Sequence, residues 1–420
     1  MVKKIFSSEL FKGSLTFFVL FNIFNVLNFV FQVSMARMLG PEDFGVLATL
    51  MLFMYFLAIP ADGIQLVATK YASRFYSNKE NGKIKFFLGE FFRMGTKWSF
   101  IVFIFLIPVF FVLSNLLKIN FFLFLLVGTT IFSVFLVPSV RGVMQGMKKF
   151  NSLGMSFIFE GATRIIIAVF LVFFGWKVYG AVIGIILSTF LPFIIAFIPL
   201  KEMSHSEKKE TDVSKIYKQS PTILYVLLII MFFQSIDIFL VRLFFVNTSE
   251  AIVGQYAVAN QIGKMIFFGT LAISRVMFPI SSEKFASKGQ TKSIVMKSLG
   301  IVALLCIGSL FVLAIFPKLV LGILYGGDYL AVSNIIFNIG LAFSFLSLAN
   351  LVLLYAVSID KKIKLWHGLI FVIVQTGLLY FFRGSLYQFS IGMILSGFFL
   401  FIGSWIIFMF NFKERKITQK

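Results

Sequence analysis

The residues best able to do chemistry in this chain of 420 residues are polar side chains that lie within long apolar stretches. The clearest set lies in a stretch predicted to be helical over residues 252–280, where five polar positions fall within roughly a quarter of the helix circumference. These positions are Tyr256, Asn260, Lys264, Ser274 and Arg275. A basic face in apolar surroundings fits an anionic ligand, because a cation there needs a partner. An ion pair of Lys264 with Asp237 or Glu160 that only joins helices is the competing interpretation.

A second polar arc, about 120° wide at helical spacing, lies on the first predicted helix. Its members are Asn22, Asn25, Asn28 and Gln32. Amides inside an apolar helix either line a cavity or bond neighbouring helices. We expect these amides to line a cavity and to contact a polar ligand.

Three carboxylates are candidates for coupling to an ion, because burial and nearby cations change the affinity of a carboxyl group for a proton. They are Asp62, Asp237 and Glu160. Glu160 lies four residues before Arg164 on one helix face, so the two can neutralise each other. Arg164 is also a candidate bidentate ligand for a phosphate group. An Asp-Gly turn at the end of a helix is the alternative role for Asp62.

Sequence features of catalysis, metal binding and nucleotide binding are missing. The pairs Gly82-Lys83 and Gly263-Lys264 lack the first glycine of a phosphate-binding loop, since Ser77 and Val258 occupy its place. His205 and His367 lie in different regions, and Cys306 is the single cysteine. We therefore predict neither an enzyme nor a metal site, and no cofactor, although coupling to a proton or sodium gradient remains open.

The elements that must position these residues are membrane-spanning helices. The chain is 59% hydrophobic and 13% charged, and apolar stretches long enough to cross a bilayer recur along its whole length. The predicted spans are 14–36, 44–68, 95–114, 121–139, 153–174, 178–199, 221–242, 252–280, 295–316, 329–357, 363–382 and 386–410. The prediction is an all-α membrane protein of about twelve helices.

Positive charge is distributed by side of the membrane, which argues against nucleic acid as the reason for the net charge of +21. One set of loops and the two termini hold 29 of the 38 Lys and Arg residues, and each of the six opposite loops holds one. This asymmetry predicts a multi-pass cell-membrane protein with both termini in the cytoplasm. The count places Arg141 in a cytoplasmic segment.

The chain divides into two halves of six predicted spans. We predict an N-terminal lobe over 1–200, a cytoplasmic linker over 201–220 and a C-terminal lobe over 221–420. The sequence Lys-Tyr-Ala-Ser at 70–73 is echoed by Lys-Phe-Ala-Ser at 284–287. Six spans return the chain to the same side, so the halves are expected to be parallel repeats around a central cavity.

Several segments resemble the polysaccharide and oligosaccharide-lipid flippases of the multidrug/oligosaccharidyl-lipid/polysaccharide exporter superfamily. They are residues 36–45, 62–70, 141–150, 236–242 and 254–260. The most specific is the Leu-Gly-Pro-Glu-Asp-Phe-Gly hairpin at 39–45, in which Gly40-Pro41 is expected to end the first helix. The chain lacks the Arg-Asp pair that peptidoglycan-precursor flippases carry in the first helix, and their two extra C-terminal helices.

The resemblance implies a cavity lined by helices 1, 2, 7 and 8, and alternating access that moves a lipid-linked, pyrophosphate-bearing oligosaccharide to the outer leaflet. Arg164, Lys264 and Arg275 would attract the pyrophosphate, while the remaining polar residues would meet sugar hydroxyls. Those residues are Tyr256, Asn260, Asn25, Asn28 and Gln32. The expected partners are this substrate, membrane lipids and glycan-assembly enzymes, with no nucleic acid, and the chain is expected to be a monomer. A cation-coupled exporter of amphipathic small molecules, a membrane glycan-assembly enzyme and a scaffold are the alternatives.

Overall fold

A computed structural model describes residues 9–196, 221–287, 290–359 and 365–418, and all regular structure within these ranges is helical. The chain forms two compact units, Met1–Gln219 and Ser220–Lys420. The predicted linker 201–220 lies outside the described residues. Each unit is described by itself below.

The described part of the N-terminal unit consists of five long helices and one short one. They are α1 Glu9–Ser77, α2 Asn81–Leu117, α3 Phe121–Gly128, α4 Thr130–Gly146, α5 Phe150–Leu171 and α6 Lys177–Ala196, with a π-helical turn at Val172–Trp176 between the last two. Helix α1 is broken at Gly40, whose φ of 74° and ψ of 174° are not helical. Only glycine adopts this backbone conformation readily. The predicted turn at Gly40-Pro41 is confirmed, and it divides α1 into a first arm, 9–39, and a second arm, 41–77.

Close packing of α4 against the second arm of α1 depends on two glycines spaced four residues apart. A Cβ at Gly142 would lie 2.5 Å from the Gln65 carbonyl oxygen, and one at Gly146 would lie 2.6 Å from the Thr69 carbonyl oxygen. Small residues at this spacing let two helix backbones approach closely. The side chain of Gln145, between the two glycines, accepts a hydrogen bond from Gln65 at 3.0 Å.

The C-terminal unit is built around one buried helix. Its helices are α7 Pro221–Phe245, α8 Glu250–Ala286, α9 Lys292–Ile315, α10 Pro317–Leu324, α11 Ile336–Ser358, α12 Leu365–Phe381 and α13 Leu386–Thr418, with a 3₁₀ turn at Gly327–Val332. Helix α11 is the buried one and contacts α7, α8, α9 and α13. The predicted span 329–357 begins too early, because its first residues lie in the 3₁₀ turn.

Among the described residues, nine helical runs are long and apolar enough to cross a membrane, and a shorter apolar helix covers Trp366–Phe381. Two of the nine runs contain a break, at Gly40 and at Gly175, where φ is 87°. If each broken run is counted as two crossings and the shorter helix as one, the described residues contain twelve crossings. Each of the twelve predicted spans overlaps one of them. The predicted fold class, an all-α multi-pass membrane protein, is confirmed.

Candidate functional site

The N-terminal unit contains a buried group of charged and polar side chains, which we call the N-terminal cluster. It consists of Asn28 on α1, Arg141 on α4, Ser156, Glu160 and Arg164 on α5, and Ser188 on α6. Glu160 is only 6% exposed, and it accepts hydrogen bonds from two arginines. Its Oε2 lies 2.8 Å from Nη2 of Arg141, and its Oε1 binds Nη2 of Arg164. One carboxylate therefore serves two guanidinium groups.

Arg164 uses all three of its guanidinium nitrogens to join three helices. Besides Glu160 on its own helix, it donates through Nη1 to Oδ1 of Asn28 and through Nε to Oγ of Ser188 at 3.3 Å. The predicted neutralisation of Glu160 by Arg164 is present. Asn28, predicted to line a cavity, is a hydrogen-bond partner of this arginine.

Arg141 is the charged residue of this cluster that sequence reasoning missed, along with Ser156 and Ser188. It was expected in a cytoplasmic segment because it precedes Lys148 and Lys149, but it lies within α4 and is 7% exposed. Its guanidinium binds Oγ and the carbonyl oxygen of Ser156, both at 3.2 Å, and covers the Phe157 ring at 3.8 Å. These contacts do not depend on the side of the membrane, so the cytoplasmic placement of Arg141 stays a prediction. The sequence signal for a buried Arg141 was its place beside Gly142 at the end of an apolar run.

The C-terminal unit contains a second buried group, the C-terminal cluster, formed by Asp237 on α7 and by Tyr256, Asn260 and Lys264 on α8. Asp237, Tyr256 and Asn260 are fully buried. Oδ2 of Asp237 accepts a hydrogen bond at 2.7 Å from the Tyr256 hydroxyl and one at 2.5 Å from the Asn260 amide. Oδ1 accepts from the backbone N–H of Ile238 at 2.9 Å. Neutral donors therefore satisfy this carboxylate.

Lys264 lies next to this carboxylate without contacting it. Its side chain is 8% exposed and interacts electrostatically with Asp237, but within the described part of the chain no ion pair shorter than 4.0 Å joins the two residues. The geometry therefore does not support the interpretation that Lys264 and Asp237 form a simple ion pair that joins two helices. Within the described residues, the ammonium group interacts with this carboxylate at longer range.

The other predicted residues lie outside the two clusters. Gln32 is buried and donates to Sδ of Met51 at 3.4 Å. Asn25 and Arg275 are exposed. The backbone of Asp62 is helical, but its side chain lies outside the described residues.

Comparison with known proteins places the fold and the family. The sequence pattern of the family described as "Polysaccharide biosynthesis protein" matches residues 10–285. No curated protein sequence matches the chain. Among solved structures, an inward-facing multidrug-resistance MATE transporter of the MOP superfamily is 13% identical, with 94% of this chain and 95% of that chain covered and a TM-score of 0.71.

Two further solved structures have the same fold. MATE in complex with MaL6 is 13% identical, with 99% of both chains covered and a TM-score of 0.64. A MOP superfamily transporter from Pyrococcus furiosus is 13% identical, with 99% of this chain and 98% of that chain covered and a TM-score of 0.65. For that protein, a binding pocket of reverse polarity is said to suggest a different function.

The chain is thus a multi-pass membrane protein with the fold of MATE and other MOP superfamily transporters. Within that class, the chain belongs to the polysaccharide biosynthesis protein family.

Proposed function

We propose that this transporter moves a lipid-linked oligosaccharide bearing a pyrophosphate from the cytoplasmic to the outer leaflet of the cell membrane by alternating access. The family match over residues 10–285 is the observation that carries the proposal, since the family is described by polysaccharide biosynthesis. In this proposal both termini lie in the cytoplasm. The chain works as a monomer, with membrane lipids and glycan-assembly enzymes as its partners and no nucleic acid.

The buried charges support an anionic substrate. In the N-terminal cluster two arginines share one carboxylate, and in the C-terminal cluster the Lys264 ammonium lies beyond contact distance of Asp237. Cations in a low-dielectric place attract a pyrophosphate strongly, whereas an exporter of cationic compounds needs the opposite charge. This charge balance favours the flippase over a cation-coupled exporter of amphipathic small molecules.

The residues divide into headgroup ligands and sugar ligands. Arg164, Lys264 and Arg275 are assigned to the pyrophosphate. The assigned sugar ligands are Asn25, Asn28, Gln32, Tyr256 and Asn260. Asn25 is exposed in this structure. Tyr256 and Asn260 must break their hydrogen bonds to Asp237 before they can bind a sugar.

Asp237 is the favoured residue for coupling to a proton or sodium gradient. Its carboxylate is buried, and the donors that bind it among the described residues are neutral, so a proton or a sodium ion can take the place of a donor without breaking a contact ion pair. Glu160 is a weaker candidate because two arginines hold it. Asp62 is the third candidate.

Transport by purified protein in proteoliposomes tests the function. A fluorescent, pyrophosphate-linked oligosaccharide on a polyprenol serves as substrate, and a membrane-impermeant quencher reports which leaflet holds it. We expect R164Q and K264M each to slow translocation about tenfold or more, because each removes a charge-assisted bond to the headgroup. The matched control is K318M, which removes an exposed lysine of α10. Unchanged rates in both R164Q and K264M would contradict the cationic site, and export of a cationic dye instead would favour the exporter.

A further inference from the structure

The charges around Glu160 are unequal. Its two carboxylate oxygens are divided between two guanidinium groups, with Oε2 bound to Arg141 and Oε1 bound to Arg164. The N-terminal cluster therefore holds one more positive than negative charge. An unbalanced charge in a buried place is costly unless an anion neutralises it.

Arg141 is the fixed member of the arginine pair. Among the described residues, its hydrogen bonds and its aromatic contact lie on α5: the carboxylate of Glu160, the hydroxyl and carbonyl of Ser156, and the ring of Phe157 at 3.8 Å. Its side chain is 9% exposed. Because ionic, neutral and aromatic contacts hold the same planar group, Arg141 has little freedom to turn toward a ligand.

Arg164 is the exchangeable member. Two of its three contacts are to neutral acceptors on other helices, Asn28 and Ser188, and its side chain is 14% exposed. A phosphate oxygen is a stronger acceptor for a guanidinium than an amide or hydroxyl oxygen. An incoming phosphate group can therefore replace the two neutral partners.

The contact with Glu160 is the obstacle to this exchange. If Arg164 were the only cation on the carboxylate, its movement would leave a buried charge without a partner, which is strongly unfavourable. Arg141 removes that penalty, because Glu160 stays paired through Oε2 when Oε1 is released.

We propose that Arg141 is a positioning residue that keeps Glu160 paired while Arg164 leaves it to bind a phosphate oxygen of a lipid-borne pyrophosphate. The proposal rests on the proposed function, because it assumes that Arg164 is a headgroup ligand. It assigns different roles to two arginines that share one carboxylate: Arg164 binds, and Arg141 holds the counter-charge.

Binding of farnesyl pyrophosphate to the purified full-length protein, measured by titration calorimetry, tests the proposal. R141Q should raise the Kd about tenfold, because Glu160 then holds Arg164 alone. The double variant R141Q/E160Q should return the Kd to within about threefold of wild type, because no carboxylate then competes for Arg164. R141K should stay near wild type, since its ammonium still pairs with Glu160. A double variant that binds as weakly as R141Q, or more weakly, would mean that Arg141 is only structural and would overturn the proposal.

Control variants and ligands separate this proposal from the proposed function. R164Q should bind farnesyl pyrophosphate no better than farnesol, and wild-type binding by R164Q would refute the headgroup site itself. If R164Q weakens binding while R141Q does not, the positioning role of Arg141 is refuted and the headgroup site at Arg164 is retained. Inorganic pyrophosphate should bind more weakly than farnesyl pyrophosphate, and equal affinity would assign the site to a free anion. If R141Q does not yield folded protein, E160Q decides alone: an unchanged or lower Kd supports the proposal, and a Kd about tenfold higher overturns it.

Discussion

The hydroxyl of Tyr256 on α8 donates a 2.7 Å hydrogen bond to the carboxylate of Asp237 on α7, and both side chains are fully buried. The same tyrosine ring meets Phe389 edge-on, with ring centroids 5.5 Å apart. Polar and aromatic contacts of one side chain thus join three helices of the C-terminal unit, α7, α8 and α13.

The hydroxyl and the ring of Tyr256 make separable contributions to stability. Y256F keeps the ring contact and removes one donor to Asp237, so we expect a loss of about 1 kcal/mol of unfolding free energy, as for other hydrogen bonds inside membranes. Y256L also removes the ring and should lose about 2–4 kcal/mol. Equilibrium unfolding in mixed micelles measures both, with Y387F at an exposed position as the control. Equal losses in Y256F and Y256L would show that the ring contributes nothing.

The close approach of α4 to α1 predicts a position-dependent effect of one substitution. G142A places a Cβ 2.5 Å from a backbone carbonyl and should lose about 1–3 kcal/mol through forced separation of the helices. The identical change at Gly300 on α9, where a Cβ meets nothing within 4 Å, should be neutral or stabilising by up to about 1 kcal/mol. Thermal unfolding of the two variants side by side checks this. A stable G142A protein would mean that the helices are not in close contact.

The break at Gly40 predicts strain without a clash. A Cβ at Gly40 meets nothing within 4 Å, yet the φ of 74° with a ψ of 174° is a conformation that other residues avoid. G40A should therefore lose about 1–3 kcal/mol of stability. G308A, a helical glycine with equally open surroundings, is the matched control and should show no loss. Similar melting temperatures for the two variants would contradict the backbone argument.

Cysteine labelling tests the proposed orientation. In a background in which the buried Cys306 is replaced by serine, K118C and K318C should react with an impermeant maleimide added outside intact cells. K148C, exposed between α4 and α5, should react only after the membrane is opened. A cysteine at Lys209, outside the described residues, is expected to behave like K148C. Labelling of K148C from outside would show that the orientation is the opposite of the one proposed.

The membrane fold was largely predictable, because a helix that crosses a bilayer needs a long apolar run and each such run is visible in the sequence. Gly40-Pro41 also marked its break correctly, since both residues interrupt a helix for local reasons. The start of α11 was not predictable, because the last residues of the 3₁₀ turn before it, Tyr-Leu-Ala-Val at 329–332, continue the apolar pattern of the helix.

The two clusters were predictable only in part. Helical spacing places Tyr256, Asn260 and Lys264 on one face, but it does not reveal that Asp237 accepts from the first two and stays out of contact with the third. Arg141 was missed for a related reason. Its nearness to loop lysines indicates the membrane surface, whereas its environment is set by a helix that is a neighbour only in three dimensions.

The two glycines of α4 have a mechanical consequence. With the backbones of α4 and the second arm of α1 this close at Gly142 and Gly146, a sliding motion of one along the other would drive carbonyl oxygens of α1 into the Cα atoms of α4. We therefore expect these segments to resist shear and to move together as one rigid body. Rearrangement within the N-terminal unit must then be taken up elsewhere, at contacts such as that of Arg164 with Asn28, where side chains alone meet.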